Sequence, residues 1–262
     1  MLHWLSPLRL AQKFMILAAL ALVMLAVPTA LYTTDVLHNL RQARLEAAGI
    51  PPLMALNQTV QQLQVHRGTS AGMLGGDATM ASRRPAVRDA VNQAFAQAQA
   101  RLVEAHASER LTQALQQQQQ AWDSLEQAAA SQSVALPQSM VQHTQLVTAL
   151  LHVSEELLSA YHLTLSPHAD TQALIQAALV HAPLLSENLG LLRGQGAGFL
   201  AQKHLPPENR GTLRGMQRRV SELLGASSRA MERAMQLNPD FRSALSDAAE
   251  SMRNLYNVGL KM

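Results

Sequence analysis

The stretch LMALNQTVQQLQVHRGTSAGML, Leu53 to Leu74, decides the fold. Its apolar residues fall at Leu53, Leu56, Val60 and Leu63, and the same steps of three and four lead on to Arg67, Ser70 or Ala71, and Leu74. That spacing turns one side of an α-helix toward a core. Arg67 stands on that side, so the helix carries a guanidinium inward. Gly68 and Gly72 follow it, each costing a helix about 1 kcal/mol relative to alanine. Small residues here either let a neighbouring helix approach closely or leave room for a ligand.

The rest of the 262-residue chain reads the same way. Aromatics are 3% and charged residues 15%, and the text is rich in Ala, Leu and Gln, as in Gln116 to Gln120. Strands favour aromatic and β-branched residues, whereas these are helix formers. There is no Cys, which excludes disulfides, thiolate metal sites and Cys nucleophiles. A formal charge of +3, despite a pI near 9.7, is too small to argue for nucleic acid.

Upstream, Phe14 to Tyr32 reads FMILAALALVMLAVPTALY, 19 residues without a charge, close to the ~20 needed to span a bilayer. Arg9 and Lys13 precede it, which places the N-terminus in the cytoplasm and the remainder outside. The run is long for a signal peptide, and Pro28-Thr29-Ala30 is a poor cleavage site, which favours an uncleaved anchor. Trp4 reads as an interface anchor. With no second run of this length, the sequence predicts a single-pass inner-membrane protein with a periplasmic C-terminal part.

Prolines and small residues cut the remainder into helical blocks. Asp35–Ala48 continues outward until Pro51-Pro52 breaks it; Leu53–Leu74 closes at Gly75-Gly76-Asp77; Ser82–Ala107 carries Pro85 in its first turn. Glu109–Ser131, Pro137 to about Leu165, Gln172 to about His204 with Pro183 as a kink, Pro207–Gln236, and a last helix to about Leu260 follow. No hairpin signal appears. The expected fold is all-α: an N-terminal transmembrane helix followed by an up-and-down helical bundle, read as two stacked bundles with an internal repeat. The expected divisions are a cytoplasmic N-terminus (1–13), an anchor (14–32), a first helical half (33–134) and a second (135–262).

The repeat is carried by Arg67-Gly-Thr-Ser-Ala-Gly-Met-Leu74 and Arg193-Gly-Gln-Gly-Ala-Gly-Phe-Leu200, identical at five of eight positions and 126 residues apart. In the second string Leu185, Leu189, Arg193, Gly196 or Ala197, and Leu200 are read as one face. Both arginines are therefore expected inward or at its margin. A buried guanidinium without a partner costs several kcal/mol, about the effective penalty of burying any lone ion. Two solutions stay open: a structural arginine tied to helix-end carbonyls and to Glu187 or Asp77, or an arginine donating both arms to a small planar oxyanion.

The strings Gln64-Val-His-Arg-Gly-Thr-Ser-Ala-Gly-Met-Leu74 with Gly75-Gly76-Asp77, and Pro183-Leu-Leu-Ser-Glu-Asn-Leu-Gly-Leu-Leu-Arg193-Gly-Gln-Gly-Ala-Gly198, carry a resemblance. The chain resembles, over roughly residues 35 to 260, the extracytoplasmic nitrate- and nitrite-sensing helical regions of bacterial transmembrane receptors. Such regions front chemoreceptors, sensor kinases and cyclic-di-GMP enzymes. The resemblance implies two stacked bundles, a homodimer, a small anion near the arginines, and a cytoplasmic output that is separate or missing from this chain. The expected ligand-binding residues are Arg67, Arg193, His66, Gly68, Ser70 and Gly194. Tyr161 to His168 lacks the acids that related regions often show there.

Other chemistry is weaker. His143, His152, His162 and His168 share a region without the His-x-x-x-His spacing of a metal site. His143 falls on an apolar face with Leu146, Val147 and Leu150 and reads as packing, and His66 as a donor to the anion or a solvated side chain. Arg210, Arg214, Arg218, Arg219, Arg229 and Arg233 make a basic segment without the aromatics that stack on bases, so no nucleic acid is expected. No paired carboxylates, Ser elbow or phosphate loop appears. The expectation is a sensor that is no enzyme, with no cofactor and no metal. The competing expectation is a membrane-anchored adaptor that binds a protein and no small molecule.

Overall fold

The computed structural model describes residues 9–202 and 206–259. Trp4, His204 and Leu260 lie outside the described residues, as do the side chains of Ala197, Gly198 and Leu200. Among the described residues every regular element is helical: α1 (Leu10–Leu74), α2 (Ala78–Glu104), α3 (Glu109–Ala130), α4 (Leu136–Ala160), α5 (Ala169–Ile175), α6 (Ala182–Gln202), α7 (Pro207–Leu237) and α8 (Asp240–Gly259). The chain divides into two compact units, Met1–Leu45 and Glu46–Met262.

In the first unit, α1 is apolar and outward-facing. Phe14, Leu17, Leu20, Met24, Leu25 and Leu31 are all more than half exposed, a surface that only lipid or a partner helix covers cheaply. This helix is long and apolar enough to cross a membrane.

In the second unit α1 to α4 run up and down around one core. Leu53, Leu56 and Leu63 of α1, Phe95 of α2, Leu115 of α3, and Val147, Leu150 and Leu157 of α4 are fully buried in it. Each such leucine contributes about 1.5–3 kcal/mol relative to exposure. A smaller cluster joins Leu185 of α6 to Leu223 and Leu224 of α7, with Met252 of α8 against it.

Three junctions hold the elements in place. α1 ends in a Schellman turn: Gly76 takes φ +93°, donating to Met73, and Asp77 donates to Gly72. The Asp77 carboxylate then caps α2 through the N–H groups of Thr79 and Met80. His106 and Gln132 make the same turn after α2 and α3 at φ 52° and 53°, without glycine's freedom. Between α5 and α6, Gln176–His181 widens into a π turn. Pro183 follows directly; its ring crowds the preceding turn and it donates no N–H, and the wider turn relieves both. The Ala177 carbonyl in that turn accepts from Ser227 of α7 at 3.2 Å.

Two expectations are corrected. Pro51-Pro52 does not break the chain: α1 runs through it from Leu10 to Leu74. Packing overrides the proline penalty of about 3 kcal/mol each. Just before the prolines, a Cβ on Gly49 would lie 2.5 Å from the Tyr161 Cβ, and the Glu46 carboxylate accepts from Ser166. Pro52 itself is buried, as are Leu53 and Leu56 just after it. Pro85 is likewise not in a first turn, because α2 begins at Ala78, where Asp77 caps it.

Candidate functional site

The alternation of three- and four-residue steps in α1 keeps its inward face constant, and Arg67 lies on it, 3% exposed. Its guanidinium grips the Glu187 carboxylate of α6 with both arms, Nη1 to Oε1 at 2.7 Å and Nη2 to Oε2 at 3.0 Å. Nη1 also donates to the Thr144 hydroxyl of α4 at 2.9 Å. One turn earlier on α1, the Gln64 amide donates to Glu187 Oε2 at 3.0 Å and accepts from Ser186 at 2.9 Å. Gly190 completes the seat: a Cβ there would lie 3.1 Å from Arg67 Nη2. The carboxylate of Glu187 is thus a planar oxyanion held bidentately, with a third lone pair served by Gln64, the arrangement for which arginine is suited.

A second polar group backs onto this seat from the other side of α1. His66 is fully buried, edge-on to Trp122 at a centroid distance of 4.6 Å. Its Nδ1 lies 2.9 Å from His143 Nε2, and its Nε2 lies 3.1 Å from Glu126 Oε2. His143 Nδ1 donates to the Ser139 carbonyl at 2.7 Å. Arg84 of α2 pairs with the Glu126 carboxylate, and its Nε donates to Ser70 Oγ at 3.2 Å. Burial pushes His66 down to about 2, helped by the charges of His143 and Arg84. Burial also pushes His143 down to about 4, against its bond to Ser139. Burial pushes the Glu126 carboxyl up, against the pull of Arg84 and Arg88.

The structure places the sequence-expected residues unequally. Arg67, His66 and Ser70 come together in the buried polar centre. Gly68 faces out, with nothing within 4 Å of a Cβ built on it, and a Cβ on Gly194 would meet only Met140 at 3.5 Å. Arg193 is exposed, which corrects the expectation that it points inward or to the margin of the core face. The reason lies in the spacing: Leu185, Leu189 and Arg193 are two steps of four, and each such step turns about 40° off the starting line. Leu185 is buried, Leu189 is 40% exposed, and Arg193 is exposed.

Of the two readings of Arg67, the structure contains the pair with Glu187; Asp77 is spent on capping α2. The sequence reading missed Arg84 and Glu126 and took His143 for packing. Spacing held the signal: Arg84 stands seven residues before the buried Val91, Glu126 four after the buried Trp122, and His143 four before the buried Val147. The six arginines of α7 are all exposed. No metal-ligating cluster occurs among the described residues.

These features define a class: an all-helical region with an N-terminal apolar helix and a buried arginine-centred polar heart. The family model described as nitrate and nitrite sensing (NIT) matches residues 58–258, and the chain belongs to that family. Its regions are extracytoplasmic sensors of signalling receptors and are not catalytic. No curated protein and no solved structure matches the chain.

Proposed function

We propose that the chain senses a small planar oxyanion of the nitrate or nitrite kind at Arg67, and that the ligand takes the place of the Glu187 carboxylate. The observation that carries this is the two-armed grip of a buried guanidinium on a carboxylate supplied by a different helix. The seat already fits a flat, two-oxygen face, the Gln64 amide supplies a further donor, and the Thr144 hydroxyl steadies Arg67 by accepting from its Nη1. Exchange of Glu187 for a free anion releases α6 from α1 at that point. This gives the two states with different anion affinity that sensing requires. Because Arg67 and the apolar run belong to the same helical element, α1, a shift at the seat has a covalent route to the membrane.

The test is calorimetric titration of the full chain in detergent with nitrate, nitrite, sulfate, malate and citrate at fixed ionic strength. One planar anion is expected to bind selectively, Arg67→Ala to abolish binding, and Arg193→Ala to keep it. No selective binding, or wild-type affinity in Arg67→Ala, overturns the proposal.

A further inference from the structure

The outer face of α1 is as regular as its inner one. Across residues 51–68 the exposed positions are Pro51, Met54, Gln58, Gln61, Val65 and Gly68, and every residue between them is buried or half-buried. The steps are three, four, three, four and three. They draw a strip along about 25 Å of helix, at the spacing of a coiled-coil seam.

The strip carries no charge. The ionisable side chains of residues 46–74 are Glu46, His66 and Arg67, and all three are buried. The other helices of the bundle do the reverse: Arg83 and Asp89 of α2, Arg110 and Asp123 of α3, and Glu155 and Glu156 of α4 are exposed. A face stripped of charge, with Met54 at 61% and Val65 at 47% exposure, has the make-up of the covered centre of an interface.

We propose that the strip is a self-association seam: two copies of the chain pair along α1, in parallel and in register, each strip residue facing its own counterpart. A two-fold axis sets like against like. A charge cannot face its copy without repulsion, whereas a glutamine amide brings both donors and an acceptor. Gln58 and Gln61 therefore satisfy themselves across the axis and fix the register, as polar residues in such seams do. Met54 and Val65 supply the apolar contact. The same two amides make the strip a poor fit for lipid hydrocarbon.

The direction follows from the anchor. Two copies held by the apolar run upstream enter the membrane in the same sense, so their α1 helices meet in parallel. The family resemblance implies a homodimer; the surface, the direction and the register come from α1 itself. Arg67 stands on the far side of α1, held by Thr144 of α4 and Glu187 of α6, so the seam does not rest on the anion reading.

The experiment is single-cysteine cross-linking of the full chain in membranes, which the absence of native Cys makes clean. Met54→Cys, Gln61→Cys and Val65→Cys are compared under mild oxidation with Val103→Cys and Leu165→Cys, exposed positions off the strip. A disulfide forms only where two Cα atoms come within about 7 Å. The expected result is a covalent dimer from each strip variant and none from the controls. A cross-link at one strip position alone marks a crossing or antiparallel pair and overturns the proposal. So does cross-linking of the controls to the same extent, which marks random collision, or none anywhere, which leaves the strip to another protein. In detergent, Gln61→Glu sets two carboxylates face to face and should weaken the dimer about a hundredfold by sedimentation, less so at high salt. An unchanged dimer in that variant also overturns the seam. Neither readout uses an anion, so failure of nitrate binding removes the anion reading and leaves the seam standing.

Discussion

Removing either partner of the Arg67–Glu187 pair leaves the other charge buried, and this sets the size of the effect. Both side chains are more than nine-tenths buried, at 3% and 7% exposure, and the grip is two-armed. Stranding a buried ion of this kind costs about 3–5 kcal/mol, so Arg67→Met and Glu187→Leu should each lose that much. The double variant replaces the pair with apolar side chains of similar volume, a change that is often neutral or better. Its loss should be about 0–2 kcal/mol, far below the sum of the singles, with the remainder owed to Gln64 and Thr144 losing partners. The assay is urea unfolding of the full chain in detergent, followed by far-ultraviolet circular dichroism. If the singles cost under about 1 kcal/mol, the pair behaves as a surface pair and the burial argument fails. If the double equals the sum, the two charges do not interact. A further variant, Glu187→Ala, empties the seat while keeping Arg67. Nitrate at a hundred times its Kd should restore about 2.7 kcal/mol to it and nothing to Arg67→Met.

Other perturbations follow from the same coordinates. Gly49→Ala should destabilise by about 1–3 kcal/mol, because the new methyl meets the Tyr161 Cβ at 2.5 Å, whereas Gly68→Ala should gain about 1 kcal/mol at an open helical position. Gln132→Gly, at φ 53° after α3, should raise the unfolding midpoint by relieving about 1 kcal/mol of left-handed strain. Asn92→Leu should cost about 1–3 kcal/mol, since Asn92 Oδ1 accepts the buried Trp122 indole N–H at 2.7 Å. On the acid side, His66 and His143 are held down to about 2 and about 4, so their neutral forms contribute stability above 6.5 that is lost as pH falls through that value. Unfolding lets both rings take up a proton, so the unfolding constant should rise by up to about a hundredfold per unit as pH falls from about 6 to 5.

The helical fold was legible because its signal is periodic. Leu53, Leu56, Val60 and Leu63 repeat at steps of three and four, and all four prove buried at 1% exposure or less. Helix ends with a local chemical cause were legible too, as at Gly75-Gly76, where α1 ends, and at Glu109, where Ser108 caps α3, although the start of α2 behind Asp77 was read four residues late. The prolines misled because their cost is local while their compensation is tertiary: nothing near Pro51 in sequence reveals that Gly49 sits under Tyr161. Half of the polar centre was legible. Arg67 and His66 stand out in a string that repeats, and Glu187 was one of two acids read as an arginine's partner, but Arg84 and Glu126 are single charges in unremarkable text. A charge on a core line is legible only once the line's exact phase is known. The repeat itself was a partial guide: Arg67 and Arg193 share neighbours in sequence and differ in exposure, because similar strings were set on helices rotated differently against their surroundings.

On the proposed reading of Arg67 as the anion seat, its grip on Glu187 also has a consequence for sensitivity. A carboxylate tethered beside the guanidinium is a competitor that never diffuses away. If it holds the seat 99% of the time, the apparent affinity for a free anion is weakened about a hundredfold from its intrinsic value. The detector's threshold is then written less in the seat than in how firmly α6 delivers Glu187 to it. Ser186 and Gly190, neither of which need touch the ligand, become the adjusting screws of the dose–response curve.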